Sequence, residues 1–508
     1  MTSCGISKRK LLQRLGGLAL GSAMAIPAHA GSDDAPYDVI AVGGGNAGLP
    51  LAIFAARRGM RVLVVEAADQ VGGTLFLSSG QMSAVGTKLQ KSKGIEDDTP
   101  QLFYDDIMRI SGGTANPDVV RLAVDNAAAT ADWLFDNGFQ VQPDHPVLGS
   151  GHDPYSRKRY FWSPQGGLAI LEVLEKNLKP EVERGRVHVL TQTEVTELVR
   201  EGRDGAIVGV VTQGSGGKRT FRGRNVVLTT GGYCSNKPMF KQIEGHDNFG
   251  DTTYPYSQGA GVKMAVAAGG YIRGQQYHQP LFNAILGDDA PLSPLLVRII
   301  SDPNIRQPWE IFVNVDGKRF IREDADRYDD REKALSRQPL ERLWVVFDEA
   351  IMKASPQIIR AWNKDKFAAA FDNYPLFYKR NSLPELAAAA GINGVELALT
   401  IADYNRAQAD GNDKFGRRHM PLPIGKPPFY AMRMQGYFLL GCAGIAVDKE
   451  LRVIRQDGKP IPNLYAAGEM LGFSAFQGSS YCGGMSVTPA LTFGRLLGER
   501  MLPFKTRT

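Results

Sequence analysis

The apolar positions of this chain fall into short solid runs, not one long periodic stretch. Val39-Ile40-Ala41-Val42 follows Asp38 and stops at Gly43-Gly44-Gly45-Asn46-Ala47-Gly48. An Ala- and Leu-rich segment then continues to Gly59, and Arg61-Val62-Leu63-Val64-Val65-Glu66 is a second apolar run that ends on an acid. Short β-branched runs without alternation mark strands covered on both faces, and the longer segment between them predicts a helix. Val226-Val227-Leu228-Thr229-Thr230-Gly231-Gly232 and Asn463-Leu464-Tyr465-Ala466-Ala467-Gly468-Glu469 have the same form, each a buried strand running into a turn. Residues 186–190, 195–200 and 206–212, β-branched and separated by glycine turns, predict a β-meander. From about His278 to Gln435 proline, aromatic and charged residues increase, and residues 384–390 and 396–409 predict helices.

A chain of 508 residues exceeds what one hydrophobic core serves, so two domains are expected. Its opening differs from the rest. Lys8, Arg9, Lys10 and Arg14 precede an apolar run over residues 15–26, then Pro27 and Ala28-His29-Ala30. Basic first, apolar second and small at the end describes an export signal over residues 1–30, cleaved after Ala30. Ser7-Lys8-Arg9-Lys10-Leu11-Leu12-Gln13 resembles a twin-arginine motif whose first arginine is lysine, so a Tat-type route to the periplasm or outside is expected. Losing four basic residues and no acid takes the formal net charge from +6 to +2, which gives no reason to expect nucleic acid. No later stretch reaches the ~18 apolar residues of a membrane span, so no stable membrane insertion is expected. Cys234, Cys442 and Cys482 then remain, an odd and widely spaced set with no Cys-x-x-Cys or haem-attachment motif. Electrons must therefore enter or leave through a separate donor or acceptor.

The first glycine turn carries the most specific chemistry. Gly-x-Gly-x-x-Gly between a strand and a helix, with an acid about 20 residues on, is a dinucleotide fingerprint. Gly43 permits the tight turn, Gly45 lets the backbone approach a pyrophosphate, and Gly48 lets the helix pack on the strand, so that helix N–H groups face the phosphates. Glu66 accepts from the ribose hydroxyls and disfavours a 2′-phosphate, leaving NAD or FAD. Val71-Gly72-Gly73-Thr74 and Ser78-Ser79-Gly80 form a second glycine loop close behind, and the Thr230-Gly231 and Gly468-Glu469 strand ends complete a set that points to FAD. The expected fold is α/β, an FAD-binding Rossmann-like (glutathione-reductase-like) domain over residues 35–275 and 436–508, with an α+β capping domain inserted over residues 276–435. Asn46, Ala47, Val195, Gly484, Ser486 and Val487 are further expected cofactor positions.

Val313-Asn314-Val315-Asp316-Gly317-Lys318-Arg319-Phe320-Ile321-Arg322-Glu323 resembles a stretch of the fumarate reductase/succinate dehydrogenase flavoprotein family. Its single-chain soluble members also end like this chain, with Gly483-Gly484-Met485 followed by Pro489-Ala490-Leu491-Thr492-Phe493-Gly494-Arg495-Leu496-Leu497-Gly498. The matching order runs from Asp38 to the C-terminus. The resemblance implies that a substrate lies against the flavin, exchanging a hydride with the ring at one carbon and a proton with a cap side chain at its neighbour. No histidine adjoins Gly72-Gly73 as covalent members usually show, so non-covalent FAD is expected.

By the same resemblance, Arg327, four residues after Glu323, takes the place of the fumarate reductases' proton-donating arginine, and Tyr328 stands near a tyrosine of ketosteroid dehydrogenases. An arginine with its pKa above ~12 needs an acidic relay, for which Glu323, Asp324 and Asp326 are candidates. A salt-bridge cluster is the alternative, since residues 322–331 are dense in both signs. Tyr481 and Leu440 replace the cationic anchors of dicarboxylate reductases, and Tyr481 resembles the tyrosine that holds the ketone in ketosteroid dehydrogenases. His278 falls near the family's His-Pro-Thr, with a structural role the alternative, and Gly259-Ala260-Gly261 stands where relatives carry Gly-Asp-Gly. Cys482 is either pocket wall or filler. The leading expectation is hydride and proton transfer across the α,β bond of a ketone or enone. A carboxylic-acid enzyme of the fumarate reductase or tricarballylate dehydrogenase kind is the second, and a flavin-bearing electron carrier without its own substrate is the third.

Overall fold

A computed structural model describes residues 35–149 and 152–504; the expected export signal lies outside them. The described chain forms two compact units, one made of residues 35–245, 253–278 and 440–504, the other of residues 246–252 and 279–439.

The first unit is built on a six-stranded sheet in the order Arg452–Ile454, Pro460–Ala466, Val226–Leu228, Val39–Val42, Val62–Val65 and Val187–Leu190. All neighbours run parallel except the outermost pair, Arg452–Ile454 with Pro460–Ala466. Val39–Val42 and Val62–Val65 are buried at every position, as two-sided cover requires. Helices Gly48–Arg57, Pro117–Asp136, Gly167–Glu183 and Val487–Leu496 belong to this unit. Asn116 starts the second of them, its Oδ1 accepting from Asp118 N, with Pro117 at the first helical position, where its missing N–H costs nothing.

The meander is where the expectation and the structure part. Val187–Leu190 joins the parallel sheet in register Val62↔Val187, and the antiparallel meander is Glu194–Arg200, Ile207–Gly214 and Gly217–Arg222. In its third strand only Phe221 is buried, and Lys218, Arg219 and Arg222 point to water. No apolar run announces such a strand, so periodicity passes over it.

The second unit holds a seven-stranded sheet centred on Phe429–Tyr437, whose nine residues are all buried. It pairs antiparallel with Arg342–Asp348 along that strand's whole length, and with Phe377–Arg380 and Leu281–Leu286 on the other side. The helices expected at 384–390 and 396–409 are Leu383–Ala390 and Gly394–Asp410. Asn393 Oδ1 accepts from Val395 N and Glu396 N, and both helices end on a glycine in the left-handed region, Gly391 and Gly411.

Candidate active site

The glycine turns of the first unit separate by what a side chain would meet there. A Cβ on Gly43, at φ +107°, would lie 2.5 Å from Thr229 O, and one on Gly48 would lie 1.9 Å from Gly43 O, so both are closed by backbone. Gly45 is open: among the described residues only Gly73 Cα, at 3.9 Å, lies within 4 Å of a Cβ placed there. Gly73 faces it from the second glycine loop, tied to the first by Gly72 N donating to Gly44 O at 2.8 Å; Thr74 continues that turn. Gly80 N donates to Ser78 Oγ, with Ser79 between them, and a Cβ on Gly80 would meet the Gly166 backbone at 2.5 Å. The helix Gly48–Arg57 starts at Ala47 without a side-chain cap, and Val487–Leu496 starts at Ser486 in the same way. Gly494 brings the second helix against the first turn, since a Cβ there would lie 2.1 Å from Ala47 O.

The polar groups around this cradle are only partly satisfied. Glu66 accepts from Gly44 N at 2.8 Å and Ala68 N at 2.9 Å, and burial raises its pKa. Thr193 N donates to Glu66 O, and Val195 follows, buried and paired with Thr212. Glu469 presses on the Thr230-Gly231-Gly232 turn, where a Cβ on Gly232 would meet Glu469 Oε1 at 2.3 Å, and burial raises this carboxyl to about 7. A Cβ on Gly468 would lie 3.2 Å from Ala47 Cβ. Gly484, at φ +80°, packs on Met82 and Ser83, and Ser486 Oγ accepts from Gln477 Nε2. Asn46 Oδ1 and Glu469 Oε1 are buried acceptors that no hydrogen bond among the described residues satisfies. Such atoms require donors from elsewhere. Hydroxyl groups of a ribityl or ribose, with a pyrophosphate between the open glycines and the two uncapped helix starts, fit these positions.

Tyr481 lies in the same unit, half-buried between Phe473 (ring centroids 6.3 Å apart, 28°) and His152 (4.4 Å, 36°). Its hydroxyl donates to Gln81 Oε1 at 3.2 Å, and the Tyr160 hydroxyl is hydrogen-bonded to it. Tyr160 is fully buried, and burial first and Tyr481 second push its pKa up. Gly483 O accepts from Ser83 Oγ and the Tyr155 hydroxyl, which fixes the backbone beside Tyr481. Cys482 is buried, its N–H on Gln477 Oε1. Leu440 is half-buried. Gly261 proves necessary for another reason, since a Cβ there would meet Thr230 Oγ1 at 2.2 Å. His278 has its side chain buried, with Nδ1 3.2 Å from Glu244 Oε2. Glu244 also accepts from Cys442 N, Ala443 N and the Tyr233 hydroxyl, so His278 belongs to a buried polar hub. Sequence inspection passed over Gln81, His152, Tyr160 and Glu244. Nothing local distinguishes them from other polar residues in aromatic surroundings.

In the second unit Arg327 is exposed at the start of helix Tyr328–Leu335. Tyr328 points the other way. Its ring packs in the apolar core against Phe282, its hydroxyl is hydrogen-bonded to Ser301 Oγ at 2.7 Å, and burial pushes its pKa up. That setting suits a packing residue better than a proton donor. The acids offered as relay are also committed. Glu323 is clasped by Arg319 at 2.7 and 2.6 Å, accepts from Phe312 N, and has Arg417 at 3.4 Å. Asp324 accepts from Arg322, Arg418 N and His419 N, which leaves Asp326, exposed beside Arg327. Of the residues predicted for substrate chemistry, Tyr481 and His278 thus lie in the first unit and Arg327 and Tyr328 in the second.

These turns and strand ends define an FAD-binding α/β flavoprotein. The model of the FAD binding domain family matches residues 38–487, and the chain belongs to the fumarate reductase/succinate dehydrogenase flavoprotein family. It is 30% identical over 476 residues to the probable fumarate reductase Ifc3 of Shewanella frigidimarina (strain NCIMB 400), covering 91% of this chain and 74% of that protein. It is 27% identical over 563 residues to 4-oxocyclohex-2-ene-1-carboxylate 5-dehydrogenase of Sinomonas cyclohexanicum, covering 91% and 93%. The solved open conformation of a flavocytochrome c3 fumarate reductase superposes with a TM-score of 0.68 at 26% identity, covering 99% of this chain and 82% of that one. The protein is an FAD-dependent oxidoreductase that acts on CH–CH groups. Among the described residues no helix is long and apolar enough to cross a membrane.

Proposed function

We propose that the enzyme moves a hydride and a proton across the α,β carbon–carbon bond of a ketone or enone, in the manner of a 3-ketosteroid dehydrogenase, with Tyr481 holding the carbonyl oxygen. The observation that carries this is the Tyr160–Tyr481–Gln81 hydroxyl chain. The Tyr481 bond to Gln81 is long at 3.2 Å, so a substrate carbonyl can take its proton in Gln81's place. A second hydroxyl behind Tyr481 polarises it and strengthens that donation. Charge develops on the carbonyl oxygen during the reaction, and a donor already in place there lowers the barrier. A carboxylate at the same spot would lack a bidentate cationic partner, since Tyr481 and Leu440 stand where dicarboxylate reductases carry one.

Bound FAD supplies the hydride chemistry of its ring. Gly43, Gly45, Asn46, Ala47, Gly48, Gly72, Gly73, Thr74, Ser79 and Gly80 would hold it on the phosphate side, and Glu66 and Val195 toward the adenosine. Thr230, Gly231, Gly468, Glu469, Gly484, Ser486 and Val487 would close on the rest, non-covalently. Arg327 delivers or removes the proton at the neighbouring carbon, with Asp326 and solvent as its relay, while Tyr328 and His278 keep structural roles. The relative named for an oxocyclohexene carboxylate supports an enone. The probable fumarate reductase, together with Arg327, favours the second reading, an unsaturated or saturated carboxylic acid. The basic and apolar N-terminal segment supports Tat-type export, and a cytochrome- or quinone-linked partner would exchange the electrons.

Tyr481→Phe tests the assignment. Turnover of an enone should fall by roughly a hundredfold or more with the flavin still bound, the effect of removing one such donor. Unchanged kinetics would take Tyr481 out of the site.

A further inference from the structure

We propose that one sheet face of the second unit is a binding site for a carboxylate ligand, held closed by the chain's own Asp289. Arg298, Ala284, Gln435 and Arg342 stand in register across four neighbouring strands, and Arg433 stands opposite Trp344 in the same sheet. Cross-strand partners share a face, so these side chains line one side of the sheet, with Arg298 over the Tyr437 ring at its far end. Arg342 Nη2 and Arg433 Nη2 converge on a single oxygen, Asp289 Oδ1, the second at 2.7 Å. Arg342 Nε donates to Gln435 Oε1 at 2.8 Å.

The face has more donors than acceptors. Arg433 Nε and Trp344 Nε1 are buried, and neither has a hydrogen-bond partner among the described residues. Buried donors are almost always satisfied, so two on directly paired residues call for an acceptor that the described chain does not provide. Two guanidiniums side by side repel, and burial first and Arg433 second push the Arg342 pKa down. One carboxylate oxygen between them offsets this incompletely. The group already there is a carboxylate, and a free one could meet both guanidinium forks with both its oxygens.

Asp289 is suited to being displaced. Its side chain is 56% exposed, whereas those of Arg342 and Arg433 are 14% and 10% exposed beneath it. It lies on the short turn joining Leu281–Leu286 to Ser293–Arg298, where moving aside breaks no strand pairing. Nothing in this assignment depends on the substrate proposed for Tyr481.

Malonate titrated into the full-length, FAD-loaded enzyme, followed by calorimetry, tests the site. Asp289→Asn removes the internal competitor and should tighten malonate binding at least tenfold. Adding Arg433→Gln to that variant should abolish the gain, whereas adding Tyr481→Phe should leave it, which separates this site from the substrate site. No gain in Asp289→Asn, or a gain that survives Arg433→Gln, overturns the proposal. Should Asp289→Asn fold poorly, malonate should still protect Arg342 and Arg433 of the wild-type enzyme from phenylglyoxal, read by mass spectrometry. Equal labelling with and without malonate would also overturn it.

Discussion

Gly45→Ala separates holding the flavin from holding the fold. The new methyl would have only Gly73 Cα within 4 Å, at 3.9 Å, and Gly45 is not in the left-handed region, so the flavin-free chain accommodates alanine. Its stability should stay level or rise by about 0.4–1 kcal/mol, because alanine restricts the unfolded chain. Bound FAD changes the outcome, since the methyl occupies space that the pyrophosphate needs against the helix start. Losing one or two charge-assisted hydrogen bonds costs about 3 kcal/mol, or roughly a hundredfold in affinity. Gly48→Ala is the contrasting case. Its methyl would sit 1.9 Å from Gly43 O, so helix and strand must separate and the fold itself suffers. FAD titration into flavin-free protein, followed by quenching of flavin fluorescence, and thermal unfolding of the same samples give both quantities. Wild-type FAD affinity in Gly45→Ala, or a large loss of stability without flavin, would refute the placement of the phosphates.

Four single residues give further outcomes. Glu469 rises from 4.5 to about 7 through burial, so the flavin-free fold favours its protonated form; that stability, about 3 kcal/mol, is fully present below about pH 4.5 and lost as pH passes about 7. Denaturant titrations across this range should show the decline in the wild type and a flatter profile in Glu469→Gln. Arg159 is fully buried between Asp98 and Asp106, at 2.5 Å from each, so Arg159→Met leaves the buried Asp98 without its cationic partner, while Asp106 keeps Arg109, and should cost about 3 kcal/mol in chemical unfolding. Tyr328→Phe should keep turnover and lose about 1 kcal/mol of stability with its Ser301 bond, whereas Arg327→Ala should lose turnover by orders of magnitude with FAD bound; equal kinetic losses would return Tyr328 to the chemistry.

What could be read in the sequence was what neighbours in the chain decide. Strand, turn, helix and acid from Asp38 to Glu66 are local, and the steric reasons for Gly43 and Gly48 are repeated in the structure. The helices Leu383–Ala390 and Gly394–Asp410 were visible from their composition and carry their caps in adjacent residues. The strand Gly217–Arg222 was not visible, because it packs one residue and exposes charges. Tyr481 could be singled out by its place before Gly483-Gly484, but its partners come from Gln81, His152 and Tyr160, more than 300 positions earlier. No spacing rule reaches across such an interval. Glu323 and Asp324 misled for the opposite reason. Their sequence proximity to Arg327 suggested a relay, while Arg319, Arg417 and backbone N–H groups had already claimed Glu323 and Asp324.

The most direct test mixes photoreduced, FAD-loaded enzyme anaerobically with a cyclic enone or with fumarate and follows the return of oxidised flavin absorbance. Rapid reoxidation by the enone, lost in Tyr481→Phe, and none by fumarate is the predicted result. Reoxidation by fumarate alone, or by neither compound, would contradict a carbonyl held by Tyr481.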